Sequence, residues 1–254
     1  LASLGRDGPR VQSGLMKRLG LGVASIPVKT AGDRLAEFVV HLGMLSATLG
    51  TIAQNIYNLQ QTDIDEVTES NEGKVGSSAM PHKQNPVASG SIVFLGRLLR
   101  SNVPPALDYI HAEWEDDHRQ GETAWKFVPE ACLLADAQLE LMQRLLGGLV
   151  VKPENMQRNL ERAGGFVCSE ALLMKLGAAI GRGRAHAVIK ELSDRARRTE
   201  EAFSDAVRAH PVVQEHLTPA EIEACVSYRG YLGQTKPLIN RVLADQRRAR
   251  RRRR

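Results

Sequence analysis

Leu35, Phe38, Leu42, Leu45, Leu49, Ile52, Ile56 and Leu59 recur at alternating spacings of three and four. This 3.5-residue repeat predicts one apolar seam along a helix of about 37 Å, at 1.5 Å per residue. Val39 and Ala53 widen the stripe, which suits a multi-helix bundle better than a two-stranded coil. A second periodic stretch, Ala88 to Asn102, carries Ile92, Leu95, Leu98 and Leu99. Pro104 and Pro105 must end or kink it, because neither ring supplies an amide hydrogen. The pattern resumes through Ala106, Leu107 and Ile110. A third helix is predicted to open at Pro129, with Glu130 placed where the helix dipole favours an anion. It continues through Leu133, Leu134, Leu141 and Leu145 and stops at Gly147-Gly148.

Beyond Gly148 the texture changes to shorter helices broken by Gly and Pro. Pro153 begins one, which ends near Gly164-Gly165, and Ser169 or Glu170 opens the next, closed by Gly181 to Gly183. Others are predicted over Ala185 to Val207, Pro219 to Ser227 and Pro237 to Gln246. No alternating strand of useful length is visible. The expected fold class is therefore all-α. A long-helix bundle is expected over residues 1–149, a smaller helical domain over 150–245 and an Arg-rich tail over 246–254.

The tail changes the reading of charge. The formal net charge is +5, but Arg247, Arg248, Arg250, Arg251, Arg252, Arg253 and Arg254 supply seven positive charges, so the rest of the chain carries −2. A nearly neutral body argues against nucleic acid as a partner, and the tail reads as a solvated, disordered end. No uninterrupted apolar run approaches the roughly 18–20 residues of a membrane span. The three cysteines, Cys132, Cys168 and Cys225, are far apart and lack CxxC spacing, which predicts neither a disulfide framework nor a zinc site. A reducing cytoplasm is the setting that fits. Leu1 stands where a start Met would, without a signal segment after it, so a missing N-terminus is expected.

Candidate chemistry concentrates between the first two helices, in the long aperiodic segment 62–89. Structureless loops beyond about 12–15 residues in compact domains are mostly functional or disordered. The segment begins acidic, with Asp63, Asp65, Glu66, Glu69 and Glu72, and then runs Gly76-Ser77-Ser78-Ala79-Met80-Pro81-His82-Lys83-Gln84-Asn85-Pro86. Gly76 and the serines offer backbone amides to an anion, Lys83 adds a point charge and Asn85 an amide donor. Such a loop could hold a carboxylate away from water. From composition alone a solvated loop is an equal alternative.

The run from Gly76 to Pro86 resembles the signature of the fumarase/aspartase superfamily, Gly-Ser-Ser-x-Met-Pro-x-Lys-x-Asn-Pro, at every fixed position. The likeness extends to the spacing of the long helices and to the small C-terminal helical domain. It implies a homotetramer whose long helices share a central bundle, with composite active sites built from three subunits. It also implies a cofactor-independent lyase that removes a proton beside a carboxylate and expels or adds a group at the β-carbon; no metal motif is visible. On this likeness Ser77 is the base, with Ser78 as the alternative, and it must be activated in a donor-rich site. Lys83 and Asn85 would stabilise the aci-carboxylate dianion, Met80 would pack on the substrate and Gly76 would complete the anion site. The family's partner histidine and N-terminal domain would precede Leu1. Of the histidines present, His41 and His186 read as structural, and His82 fills a variable motif position.

The stretch Tyr109 to Glu130 bears on the substrate. Aligned on Pro129, Trp114, Gly121, Glu122 and Trp125 stand where adenylosuccinate lyases carry His, a Ser-Ser pair and Arg. Trp125 resembles the tryptophan before Pro-Glu in 3-carboxy-cis,cis-muconate cycloisomerases. That branch adds a carboxylate across a double bond, the reverse of β-elimination, and its small polycarboxylate substrate needs further cations. Arg34, in an Asp-Arg pair at the start of the heptad helix, is one candidate; an ion pair with Asp33 or Glu37 is the equal alternative. Lys29 and Asp116-Asp117 depart from the branch pattern. Adenylosuccinate lyase or another fumarate-releasing lyase is the alternative function, and a catalytically inactive structural member is the second.

Overall fold

The computed structural model describes residues 2–26, 31–70, 80, 83–114 and 117–252. Two compact units make up the chain, Leu1–Val151 and Lys152–Arg254. The first holds α1 (Gly8–Leu19), α2 (Asp33–Leu59), β1 (Val67–Thr68), α3 (Val87–Arg100), α4 (Val103–Asp108), α5 (His118–Gly147) and β2 (Val150–Val151). The second holds α6 (Pro153–Arg162), α7 (Ser169–Ile180), α8 (Arg182–Thr199), α9 (Phe203–Ala209), α10 (Pro211–His216), α11 (Pro219–Val226) and α12 (Thr235–Arg252). The fold is all-α, and among the described residues β1 and β2 form only a two-residue antiparallel ladder, Val67 opposite Val151 and Thr68 opposite Val150.

In the first unit α2, α3 and α5 pack on one another as a three-helix bundle, with α4 laid against α2 and α5. Of the heptad seam only Ile56 is fully buried in this core, with Leu42 partly so. Ala36, Val39, Gly43, Ser46, Ala53 and Ile56 are buried, whereas Leu35, Phe38, Leu45 and Ile52 remain exposed. Small side chains admit the neighbouring backbones closely, and the large apolar ones stay on the surface. By length and a mean hydropathy of 1.5 over 18 residues, α2 is also, taken singly, the one described helix apolar enough to cross a membrane. Counting uninterrupted runs misses this, because Gly43, Ser46 and Thr48 interrupt them without adding charge. The contacts of α2 with α3 and α5 are those of a bundle core helix.

A buried polar network joins the three helices. Gln138, fully buried on α5, donates from Nε2 to Ser46 O on α2 (3.2 Å) and Ile92 O on α3 (3.0 Å). Ser46 Oγ donates to Gly96 O at 3.1 Å and accepts from Arg100 Nη1 at 3.1 Å. The close approach needs glycine at 96, since a Cβ there would lie 2.6 Å from Gln138 Nε2 and 3.2 Å from Ser46 Oγ. Gly96→Ala is therefore expected to cost about 1–3 kcal/mol through overpacking. Urea unfolding at equilibrium measures it; an unchanged midpoint would show that the amide moves aside freely.

The third predicted helix starts eleven residues earlier than expected. Pro129 lies inside α5, whose N-cap is Asp117, accepting from Arg119 N at 3.0 Å. The cap fixes the start, and the burial of Phe127, Ala131 and Ala135 on either side carries the helix through the bond that proline removes. Pro104 instead sits in the first turn of α4, which begins at Val103. Hydrophobic periodicity does not announce α1, which has Pro in its first turn and the left-handed Gly20 (φ 67°) at its end.

The second unit is built on Leu172 and Leu176 of α7, Ala185, Val188, Leu192 and Ala196 of α8, and Phe203, Val207 and Val213. Phe166 stacks on Phe203 with ring centroids 4.9 Å apart. The stretch predicted as one helix to Val207 breaks after Thr199, where Glu200 is left-handed (φ 57°). A capping box starts α11: Glu221 N donates to Thr218 Oγ1 at 3.3 Å and Thr218 N to Glu221 Oε2 at 2.9 Å. The Lys175 ammonium, 2.9 Å away, and then the Thr218 donors draw the Glu221 pKa down from 4.5 to about 2. A lowered folded value stabilises the fold above pH 4.5 and is lost as pH falls through about 2. Carboxyl NMR of Glu221 is expected to titrate near 2, and Lys175→Met to move that midpoint upward.

The Arg-rich end is helical rather than disordered, with Arg247 to Arg252 inside α12; Arg253 and Arg254 lie outside the described residues. Arginine is a good helix former, and cations at a helix C-terminus complement its dipole.

Candidate active site

The signature segment leaves β1 and enters α3. Gly76, Ser77, Ser78, Pro81 and His82 lie outside the described residues. Met80, Lys83 and Asn85 are exposed, in a short run just ahead of α3. Lys83 N donates to Met80 O at 3.0 Å, and Val87 N to Asn85 O at 2.9 Å.

Pro86 stands at the N-cap of α3 and makes no side-chain cap bond. The free amides there are taken by Glu69, only 2% exposed. Its Oε1 accepts from Ala88 N at 2.9 Å, and its Oε2 from Ser89 N at 3.1 Å and Ser89 Oγ at 2.9 Å. Gln60, the C-cap of α2, joins the group: its Oε1 accepts from Glu69 N at 2.9 Å, and its Nε2 donates to Ile56 O and, at 3.4 Å, to Ser89 Oγ. Val67, buried and paired with Val151, holds the chain just before Glu69. The end of α2, the end of β1 and the start of α3 thus meet at one buried cluster. By composition Glu69 belongs with the other acids of the loop, and its burial is a finding of the fold. The signal for it in the sequence is its place two residues after Val67, in a Val-x-Glu alternation.

Arg34 lies elsewhere. Its Nη1 pairs with Glu37 Oε2 at 3.4 Å on the exposed side of α2. It starts α2, whereas the Gln60 cluster ends it, about 39 Å away along the axis at 1.5 Å per residue. Within one chain Arg34 and Lys83 are not brought together. His41 Nδ1 lies 2.7 Å from Glu37 O. His186 is exposed on α8 rather than packed, because Ala185 and Val188 take the inward positions.

A cavity of about 230 Å³ opens between α4 and the start of α5, lined by Asp108, Tyr109, His111, Glu113, Asp117 and Arg119, among others. Arg119 hydrogen bonds Asp117 from Nε (3.0 Å) and Nη2 (2.9 Å), and its Nη2 also reaches Glu113 at 2.9 Å. Those bonds, with Glu113 N, hold the Asp117 carboxyl well below the usual range and raise the Arg119 pKa. Trp125 is 83% exposed on α5, so nothing in the chain's own core accounts for it. A trough of about 710 Å³ along α8 has none of the signature residues in its described lining. Among the described residues no group of three His, Cys, Asp or Glu could hold a metal ion.

Residues 9–96 match the family profile described as "Lyase", and residues 165–242 that described as "Adenylosuccinate lyase C-terminus". The chain is 35% identical to the adenylosuccinate lyase of Methanothermobacter thermautotrophicus, covering 96% of this chain and 55% of that protein. It is 31% identical to the N-acetyl-S-(2-succino)cysteine lyase of Dickeya dadantii, covering 95% and 54%. Its fold is similar to the crystal structure of 3-carboxy-cis,cis-muconate lactonizing enzyme from Pseudomonas putida, with a TM-score of 0.84, 28% identity and coverage of 97% and 55%. The chain spans about half the length of the curated relatives it matches.

Proposed function

The chain belongs to the fumarase/aspartase superfamily, and from that premise we propose that the full-length protein is a cytoplasmic, homotetrameric cycloisomerase that lactonises 3-carboxy-cis,cis-muconate. Trp125 carries this reading, as an indole held in solvent at the position the cycloisomerase branch fills with tryptophan. The state of Arg119 supports it against a phosphorylated nucleotide. The cations flanking the stretch where adenylosuccinate lyases place serines and arginine are Arg119 and Lys126, and Asp117 and Glu113 engage the first and Glu130 the second.

In the reaction one substrate carboxylate oxygen forms a C–O bond at the β-carbon of an unsaturated acid. The π electrons move onto the adjacent carboxylate, giving an aci-carboxylate dianion, and a proton then adds to the α-carbon. Lys83 and Asn85 would stabilise the dianion as its charge grows. Ser77, or Ser78 in its place, would deliver the proton here and remove it in the lyase direction. Met80 would cover the substrate's apolar edge and the Gly76 backbone would complete the anion site. Arg34, remote from Lys83 in its own chain, would serve a site completed by another subunit.

A fumarate-releasing lyase acting on adenylosuccinate is the second reading, favoured by the adenylosuccinate lyase profile and relative. Diene absorbance and adenylosuccinate cleavage, followed in parallel with the complete protein and its Ser77→Ala variant, separate the two. Serine-dependent loss of the diene supports the cycloisomerase, turnover of adenylosuccinate the lyase. Light scattering is expected to give a tetramer, because the exposed seam of Leu35, Phe38, Leu45 and Ile52 needs a partner. A monodisperse monomer would count against shared sites.

A further inference from the structure

We propose that Glu69 is a positioning residue of the active site, setting where Lys83 and Asn85 stand by ligating the start of α3. The proposal rests on the reading of Lys83 and Asn85 as the groups that meet the substrate.

A carboxylate buried this fully is costly unless it is matched by donors. Glu69 is matched by the Ala88 and Ser89 amides and the Ser89 hydroxyl, within 2.9–3.1 Å. The first amides of a helix lack intrahelical partners and carry its positive end, so they suit an anion. A helix ordinarily meets that need locally, with Ser, Thr, Asp or Asn at the N-cap. Here Pro86 occupies the N-cap, and the acceptor comes from nineteen residues before Ala88. A local cap would stabilise α3 equally well without joining it to anything. The remote one ties residue 69 to residues 88 and 89, so the chain between them leaves and returns at a single buried point.

Gln60 extends that point to α2, and the Val67–Val151 pair holds it to the chain following α5. Lys83 and Asn85 lie five and three residues before Ala88. Their place relative to the bundle is therefore inherited from the cluster, and a shift of about 1 Å there passes to the catalytic groups, a displacement that can cost about 10²-fold in rate. The ligation has a second effect. With the Ala88 and Ser89 amides already bound to an internal anion, they are not offered to the substrate's charge.

The test uses the full-length protein with Glu69→Gln and Ser89→Ala. Glutamine keeps the shape but turns an amide NH₂ toward backbone donors. Glu69→Gln is expected to lower kcat about 100-fold, with KM within about 3-fold, in protein of unchanged assembly. Amide exchange of peptide 80–90 is expected to quicken at least about 10-fold. Ser89→Ala, which removes one donor, is expected to lower kcat about 3- to 10-fold. If Glu69→Gln lowers the melting temperature while kcat of the folded protein and exchange over 80–90 stay at wild type, Glu69 is a helix cap only and the proposal fails. Should Glu69→Gln not fold, unchanged kcat and exchange in Ser89→Ala overturn it equally. If the wild type turns over no substrate, the functional reading has failed, and the exchange measurement still decides whether Glu69 holds the segment.

Discussion

Ser77→Ala in the full-length protein is expected to lower kcat about 10²- to 10⁴-fold while sparing the tetramer and the melting temperature. A serine is a weak proton-transfer group in water, so its contribution must come from the donors assembled around it. Lys83 and Asn85 are both solvent-facing next to α3, and on the proposed reading they bring the charge and amide to the dianion. Removing the hydroxyl deletes the proton's route but leaves the anion site, so substrate should still bind and KM should move little. Ser78→Ala is the control, and a full loss there with an active Ser77→Ala would transfer the role to Ser78. Equal activity in both variants would remove serine chemistry altogether. The measurement is steady-state kinetics on whichever substrate the parallel assay identifies.

Phe127→Ala is expected to destabilise the protein by about 3–5 kcal/mol. The ring is 1% exposed and packs with Val39, Ala106 and Ala131. Two of those neighbours are alanines on helices, with no side-chain length to swing into a vacated space, so the cavity should persist. The edge of Tyr109 meets Phe127 at 72° with centroids 5.6 Å apart. Gln120 Nε2 donates to Tyr109 O, and a Cβ on Gly32 would lie 2.7 Å from that same oxygen. The Phe127 ring therefore supports the junction of α4 and α5 against the start of α2. Urea unfolding reads the loss; a cost below about 1 kcal/mol would mean the junction collapses into the gap.

Much of this architecture is legible in the order of residues. The 3.5-residue repeat marks α2, the double proline marks the break before α4, and Gly147-Gly148 marks the end of α5. Which face of α2 enters the core is not legible there. Hydrophobicity points to Leu35, Phe38, Leu45 and Ile52, while close packing selects Ala36, Gly43, Ser46 and Ala53. Size complementarity between helices is a property of pairs and leaves no mark on one strand of periodicity. The same limit hides the start of α5, which Asp117 caps and whose packing runs on through Pro129, and the burial of Glu69, whose partners lie about twenty residues onward. Lys83 and Asn85 stand out in the sequence only through the likeness of the run Gly76 to Pro86 to the superfamily signature. The separation of Arg34 from them is not, because it follows from the length of a straight helix between the two.

Gln138 makes the bundle intolerant of misalignment. A core of aliphatic side chains can slide by one helical turn and lose only part of its packing. Here a slip of α5 would carry an amide away from the Ser46 and Ile92 carbonyls and strand it among apolar groups. An orphaned buried donor costs about 1–3 kcal/mol, a penalty that every shifted arrangement adds to that of the Gln138 Oε1, which is buried without a partner in the native one. The three helices are thus keyed to a single alignment by one polar side chain, and the ends of α2 and α3 are indexed to each other before any substrate arrives. Replacing Gln138 with leucine would be expected to leave a bundle that still collapses but populates neighbouring registers, visible as doubled or broadened methyl resonances.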